Sequence, residues 1–187
     1  ISETVRANAE SRKRVSPGAA DTEKVEGIAS HSAIALLCRN AEFRQKFGAT
    51  SITDWRPTYE DDGAERTTLL ASSLQLDGQP LRCRPDLVLS GKDGSIVVIE
   101  RKTTRRPAAR LNPEAWPNNR AQLWCYSKID DFVDAPRILL VLQWWRRPEL
   151  AFMYSMTWKL PDPGLEYECR QWFRKYQKAC GARQPSV

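Results

Sequence analysis

The run Ile96-Val97-Val98-Ile99 constrains the fold more than any other stretch of the chain. A strand sends successive side chains to opposite faces, and here both alternations are apolar. A strand over 95–103 must therefore be covered on both sides, as a central strand of a layered sheet is. Leu139 to Leu142 makes the same demand of a strand over 136–144. The first run ends on Glu100-Arg101-Lys102, so charged groups arrive at the rim of a core. Alternation places Glu100 and Lys102 side by side on one face.

A second run, Leu81 to Leu89, contains Pro85-Asp86, and the turn Ser90-Gly91-Lys92-Asp93-Gly94 folds it back beside the first. Two carboxylates and one ammonium then converge at the edge of a hairpin. That set suits a divalent metal held by Asp86 and Glu100, with Lys102 next to whatever the metal binds. Phosphodiester hydrolysis needs such parts: a Lewis acid, an activated water and a fixed positive charge. Pro-Asp is also a common turn, and a glutamate at a strand end is often only solvated. The apolar neighbours of both residues argue for burial, where a carboxylate needs a partner.

The rest of the chain reads as one domain. Residues 1–20 are polar and form a flexible arm, in which Arg12-Lys13-Arg14 is either solvated or in contact with phosphate. Residues 21–187 form the domain. A helix over 22–37 is capped by Asp21 and Thr22 and buries Val25, Ile28, Ala29, Ser32, Ala35 and Leu36. A short helix over 41–47 stops at Gly48. After a loop containing Pro57 and Asp61-Asp62-Gly63, strands are expected at 66–76, 81–90 and 95–103. A Pro- and Arg-rich loop follows, then a helix over 118–131, strands at 136–144 and 150–158, and a helix over 165–179. The expected fold class is α/β, a mixed central sheet of about five strands flanked by helices.

Composition narrows the function classes. At 187 residues the chain can bury a sizeable core, and its longest apolar stretches are strand-sized, which gives no membrane span. No secretory signal is visible, and a start at Ile1 without Met fits a processed product or a piece of something longer. Net charge is +6, and residues 101–120 carry six basic side chains against Glu114 alone. Arg105, Arg106, Arg110 and Arg120 thus make the loop leaving the charged strand a place for a polyanion, or else a solvated surface. The cysteines Cys38, Cys83, Cys125, Cys169 and Cys180 are odd in number and lack C-x-x-C spacing, as expected in a reducing, cytoplasmic compartment. Cys83 and Cys125 read as small buried hydrophobes.

Two further motifs bracket the hairpin. Gly27-Ile28-Ala29-Ser30-His31 reads G-x-x-x-H, and Gln122-Leu123-Trp124-Cys125-Tyr126 reads Q-x-x-x-Y. The order G-x-x-x-H, Pro-Asp, E-x-K, Q-x-x-x-Y resembles the RecB-like branch of the PD-(D/E)XK nuclease superfamily, over roughly residues 23–158. The resemblance implies a restriction-endonuclease-like core and hydrolysis of DNA with little sequence preference. It implies Mg²⁺ or Mn²⁺ held by His31, Asp86, Glu100 and the carbonyl of Arg101. Lys102 would then act in catalysis, assisted by Gln122 and Tyr126 beside the site.

His31 is the one histidine in the chain, and a lone histidine on a helix is usually a packed or surface residue. Gly27, one turn earlier, would let the helix approach the sheet. Some relatives carry an iron–sulfur cluster on four cysteines, three of them late in the chain. Only Cys169 and Cys180 are placed for that here, so no cluster is expected. Partners implied by the resemblance are DNA, single-stranded or with ends, and a helicase or larger assembly. Trp144-Trp145-Arg146-Arg147 offers stacking and phosphate contacts, with Trp145 and Arg146 as candidates. Alternation turns one of the two tryptophans inward and leaves open which. An RNA endonuclease of the cap-snatching type and a binding module without catalysis are the alternatives.

Overall fold

The computed structural model of the chain describes residues 30, 33, 34, 55–61, 68–112 and 114–181. The arm 1–20, the short helix over 41–47, Gly27, His31 and Cys38 lie outside them. Of the expected first helix, residues 30, 33 and 34 are helical, and Ile34 is fully buried.

The elements are β1 (Trp55–Glu60), β2 (Leu69–Leu76), β3 (Gln79–Cys83), β4 (Leu87–Gly91), β5 (Ile96–Thr104), α1 (Pro117–Tyr126), β6 (Ile138–Arg146), β7 (Ala151–Leu160) and α2 (Pro163–Gly181). Five strands form one mixed sheet in the order β1-β4-β5-β6-β7, while β2 and β3 pair in a separate two-stranded sheet. β5 runs parallel to β6 and antiparallel to β4. The fold class is the expected one, α/β with a five-stranded mixed sheet. Its membership differs from the sequence reading.

β1 occupies the stretch where Pro57 predicts a loop. The strand tolerates a proline because it lies at the sheet edge, and its register with β4 shifts between Pro57 and Tyr59. The run 81–90 is not one strand but two. Pro85 has no N–H to give a ladder, so pairing stops at Cys83 and restarts at Leu87 in a different sheet. That crossing carries Asp86 to the side of β5. The helix expected over 118–131 ends at Tyr126, where Ser127 Oγ bonds back to the carbonyl of Trp124 at 2.7 Å. Residues 130–132 form a 3-10 turn, with the Asp130 carboxylate taken by the N–H and hydroxyl of Ser72. α2 starts at Pro163, earlier than expected. Proline is tolerated in a first helical turn, and Asp162 Oδ1 caps the helix by accepting from Leu165 N–H at 3.0 Å.

The core lies between one face of the sheet and the two helices. Val98, Leu140 and Leu142 meet Leu123, Trp124, Cys125, Leu165 and Phe173, all nearly inaccessible. Each such aliphatic or aromatic side chain contributes roughly 1.5–3 kcal/mol by leaving water. Trp124 and Phe173 join the helices, their ring centroids 6.1 Å apart. The opposite face of the sheet is covered too, since Val97, Gln143 and Trp145 are buried there. Cover on both sides is what the run 96–99 required. No described helix is long and apolar enough to cross a membrane.

Candidate functional site

Register builds the site. Leu87 pairs with Ile99 and Val88 with Val98, so one step further brings Asp86 opposite Glu100. The N–H of Arg101 donates to Asp86 Oδ2 at 2.5 Å, fastening the residue before β4 to the end of β5. Asp86 and Glu100 are both buried, 7% and 4% exposed. Charges in such surroundings persist only with partners, and partners are present.

The Lys102 ammonium lies 2.6 Å from Glu100 Oε1 and donates at 2.9 Å to Gln122 Oε1. Gln122 Nε2 donates to the same Glu100 oxygen at 2.9 Å and to the Tyr126 hydroxyl at 2.6 Å. The amide has one arrangement that satisfies every neighbour: oxygen toward the ammonium, which only donates, and nitrogen toward the carboxylate, which only accepts. The Tyr126 hydroxyl in turn donates to the carbonyl of Arg84 at 3.0 Å. The chain of bonds thus runs from β5 through α1 back to the residue two before Asp86.

Tyr126 reports the electrostatics. Its phenol is held well above its ordinary pKa, first by complete burial, then by the charge of Glu100, with Asp86 adding to it against the Gln122 hydrogen bond. Both carboxylates therefore act on one hydroxyl, which keeps its proton for Arg84. Two residues escaped the sequence reading. The Asp61 carboxylate receives Arg84 Nη2 at 2.8 and 2.7 Å, and the Asp61 N–H donates to the carbonyl of Asp86 at 3.0 Å. Asp61 and Arg84 thereby hold the Pro85-Asp86 link from outside. Only the long-range pairing of β1 with β4 reveals this, and the proline in β1 hid it.

The donor set fits a hard divalent cation. Asp86 and Glu100 offer carboxylate oxygens, and the Arg101 carbonyl adjoins them in the chain, which is the chemistry Mg²⁺ and Mn²⁺ favour. Among the described residues no group of three His, Cys, Asp or Glu side chains is assembled for a metal. His31, the further expected ligand, lies outside those residues.

The basic residues divide. Arg105, Arg106 and Arg110 are exposed in the loop after β5, and Arg146 is exposed beside Glu149. Arg120 is committed inside the protein: Nη1 donates to the carbonyls of Glu114 and Ala115, and Nη2 pairs with Glu168 on α2. Its role is a clamp between helices. Trp145 is fully buried against Phe152, so it presents no surface to a base. Trp144, on the other face, is also buried, against Trp116. Both tryptophans point inward because the sheet is covered on both sides. Cys83, Cys125 and Cys169 are buried free thiols, and Cys180 is a partly exposed one.

No protein-family model matches the chain, and no curated protein matches it. A solved structure, that of SSO0001, is similar at 17% identity, over 88% of this chain and 61% of that one, with a TM-score of 0.41. The chain thus spans less than two thirds of that protein's length. At that level of likeness, fold and site rest on the chain's own geometry.

Proposed function

We propose that the chain is a metal-dependent nuclease that hydrolyses DNA phosphodiester bonds, as its resemblance to the RecB-like PD-(D/E)XK nucleases implies. The observation that carries the reading is the junction of Lys102 with Glu100 and Gln122, one strand away from Asp86. A lysine used only for packing or solubility has no need of a buried carboxylate and a half-buried amide on separate elements.

Asp86, Glu100 and the Arg101 carbonyl, with His31 by resemblance, would hold Mg²⁺ or Mn²⁺, which supplies Lewis acidity and lowers the pKa of water. Lys102 places a positive charge where negative charge develops on the non-bridging phosphate oxygens during water attack. Gln122 fixes the Lys102 ammonium in line with Glu100, so no reorientation is needed during reaction. Tyr126 sets the Gln122 amide. Arg105, Arg106 and Arg110 attract the flanking phosphates.

The experiment is cleavage of end-labelled DNA, single- and double-stranded, linear and circular, with Mg²⁺, Mn²⁺ or EDTA. Cleavage should need the metal and disappear in Asp86→Ala, Glu100→Ala and Lys102→Ala proteins that still fold. Full activity in any of the three overturns the assignment. Retained DNA binding without cleavage under any metal assigns the chain to the non-catalytic binding modules.

A further inference from the structure

We infer that Trp116 is a stacking subsite for an unpaired nucleobase beside the candidate site, which directs the protein to single-stranded DNA. The inference rests on the nuclease reading above.

The placement follows from register. Trp144 is the cross-strand partner of Lys102, on the same face, and Tyr154 is the partner of Trp144 on the next strand. Trp116 stands edge-on to Trp144, ring centroids 5.4 Å apart and planes at 66°. An aromatic row therefore starts one strand from the Lys102 ammonium and ends on a half-buried indole. Trp116 also closes the loop that carries Arg105, Arg106 and Arg110, all exposed. Phosphate-attracting charge and an aromatic surface in one path is the pattern by which proteins hold single strands. In a duplex the bases face one another and cannot reach an indole.

The corner that presents Trp116 is built for it. Ala115, fully buried, takes the left-handed conformation at φ 63°, which a residue with a Cβ rarely adopts. Three hydrogen bonds hold it there: Asn112 Nδ2 and Arg120 Nη1 both donate to the Ala115 carbonyl, at 2.8 and 3.2 Å, and Ala115 N–H donates to the Asn112 carbonyl at 3.1 Å. Strain maintained by surrounding bonds marks positions with a task.

The test uses the full chain in EDTA, where no metal-dependent cleavage occurs, with a fluorescein-labelled thymidine oligonucleotide, a blunt duplex and an abasic strand of equal length. Trp116→Ala should weaken binding of the oligonucleotide about tenfold and leave duplex and abasic-strand binding unchanged. Trp116→Phe should restore most of the loss. Equal losses on all three ligands, or no loss on the oligonucleotide, overturn the inference. If the wild-type protein binds none of the three, the nuclease reading fails with it; if it binds in EDTA and, once Mn²⁺ replaces the chelator, cleaves duplex and single strand alike with Trp116→Ala unaffected, only the subsite fails.

Discussion

Gln122 accepts a hydrogen bond from the Lys102 ammonium at 2.9 Å, although the two residues stand on different elements, a helix and a strand. The same amide donates to Glu100 and to Tyr126, so one side chain sets the geometry of the charged pair. Its removal leaves Lys102 with Glu100 but without alignment. Gln122→Ala should lower kcat about 10–100-fold, as loss of a supporting partner does elsewhere, with only a small change in thermal stability. Steady-state cleavage beside a melting curve checks both halves. Gln122→Glu adds a carboxylate and should not restore the rate.

Asp61 acts at one remove. It holds Arg84 by two bonds and the main chain of Asp86 by a third. Asp61→Ala should loosen the Pro85-Asp86 link and weaken Mn²⁺ binding about 10–100-fold. Calorimetric titration with Mn²⁺ reads this without any turnover. Unchanged affinity would show that Pro85 and the Arg101 N–H fix Asp86 without Asp61.

Trp145 was a candidate contact for nucleic acid, and its complete burial reverses that expectation. Trp145→Ala should cost about 3–5 kcal/mol of stability, as truncation of a buried aromatic does. Urea unfolding measures the loss. Where the variant remains folded, its affinity for DNA should equal that of the parent chain.

The buried thiols tie stability to alkaline pH. Burial raises Cys83 to about 12, and it raises Cys125 further, with nearby charges secondary. Below about pH 9 both thiols are protonated in the folded and unfolded chain, and they leave stability untouched. Above it only the unfolded chain releases the protons. Stability therefore falls as pH rises from about 9 toward 12, by up to about 1.4 kcal/mol per pH unit for each thiol. Denaturant midpoints across that range should drop less steeply in Cys83→Ala. The same burial predicts that iodoacetamide labels Cys180 before Cys83, Cys125 or Cys169 in the folded protein, which peptide mass spectrometry resolves.

The exposed arginines should act as a group. Replacing Arg105, Arg106 and Arg110 with Glu should weaken DNA binding and lower the salt dependence by about one unit of slope per lost phosphate contact. Binding titrations at several salt concentrations give that slope. Arg120→Ala, by contrast, should act on stability, because its guanidinium joins α1 to α2 rather than facing solvent.

Periodicity alone made much of the fold legible. A doubly apolar run such as 96–99 has one physical solution, and the strand it predicts agrees with β5 to a residue at each end. The convergence of Asp86 and Glu100 at the edge of a hairpin was also readable, since the turn over 90–94 folds one run back beside the other. Helix spacing likewise put Gln122 and Tyr126 on one face. Signals that depend on partners distant in the chain were not readable. Pro57 looked like a loop because nothing local tells an edge strand from a loop. Pro85 sits inside an apolar run, and that β3 and β4 join different sheets follows only from which strands they meet.

The sequence by itself determined the α/β class, the central strand and the residues that converge at its end, because alternation and turn chemistry act over a few residues. Tertiary structure alone decided which charges are spent inside the protein and which face outward. Arg120 and Arg105 look alike in the chain, yet one clamps two helices and the other is exposed. It also decided that Trp145 is buried while Trp116, which the sequence reading passed over, ends the aromatic row beside Lys102. Burial and pairing are properties of packing between elements, and no local pattern encodes which surface another element will cover.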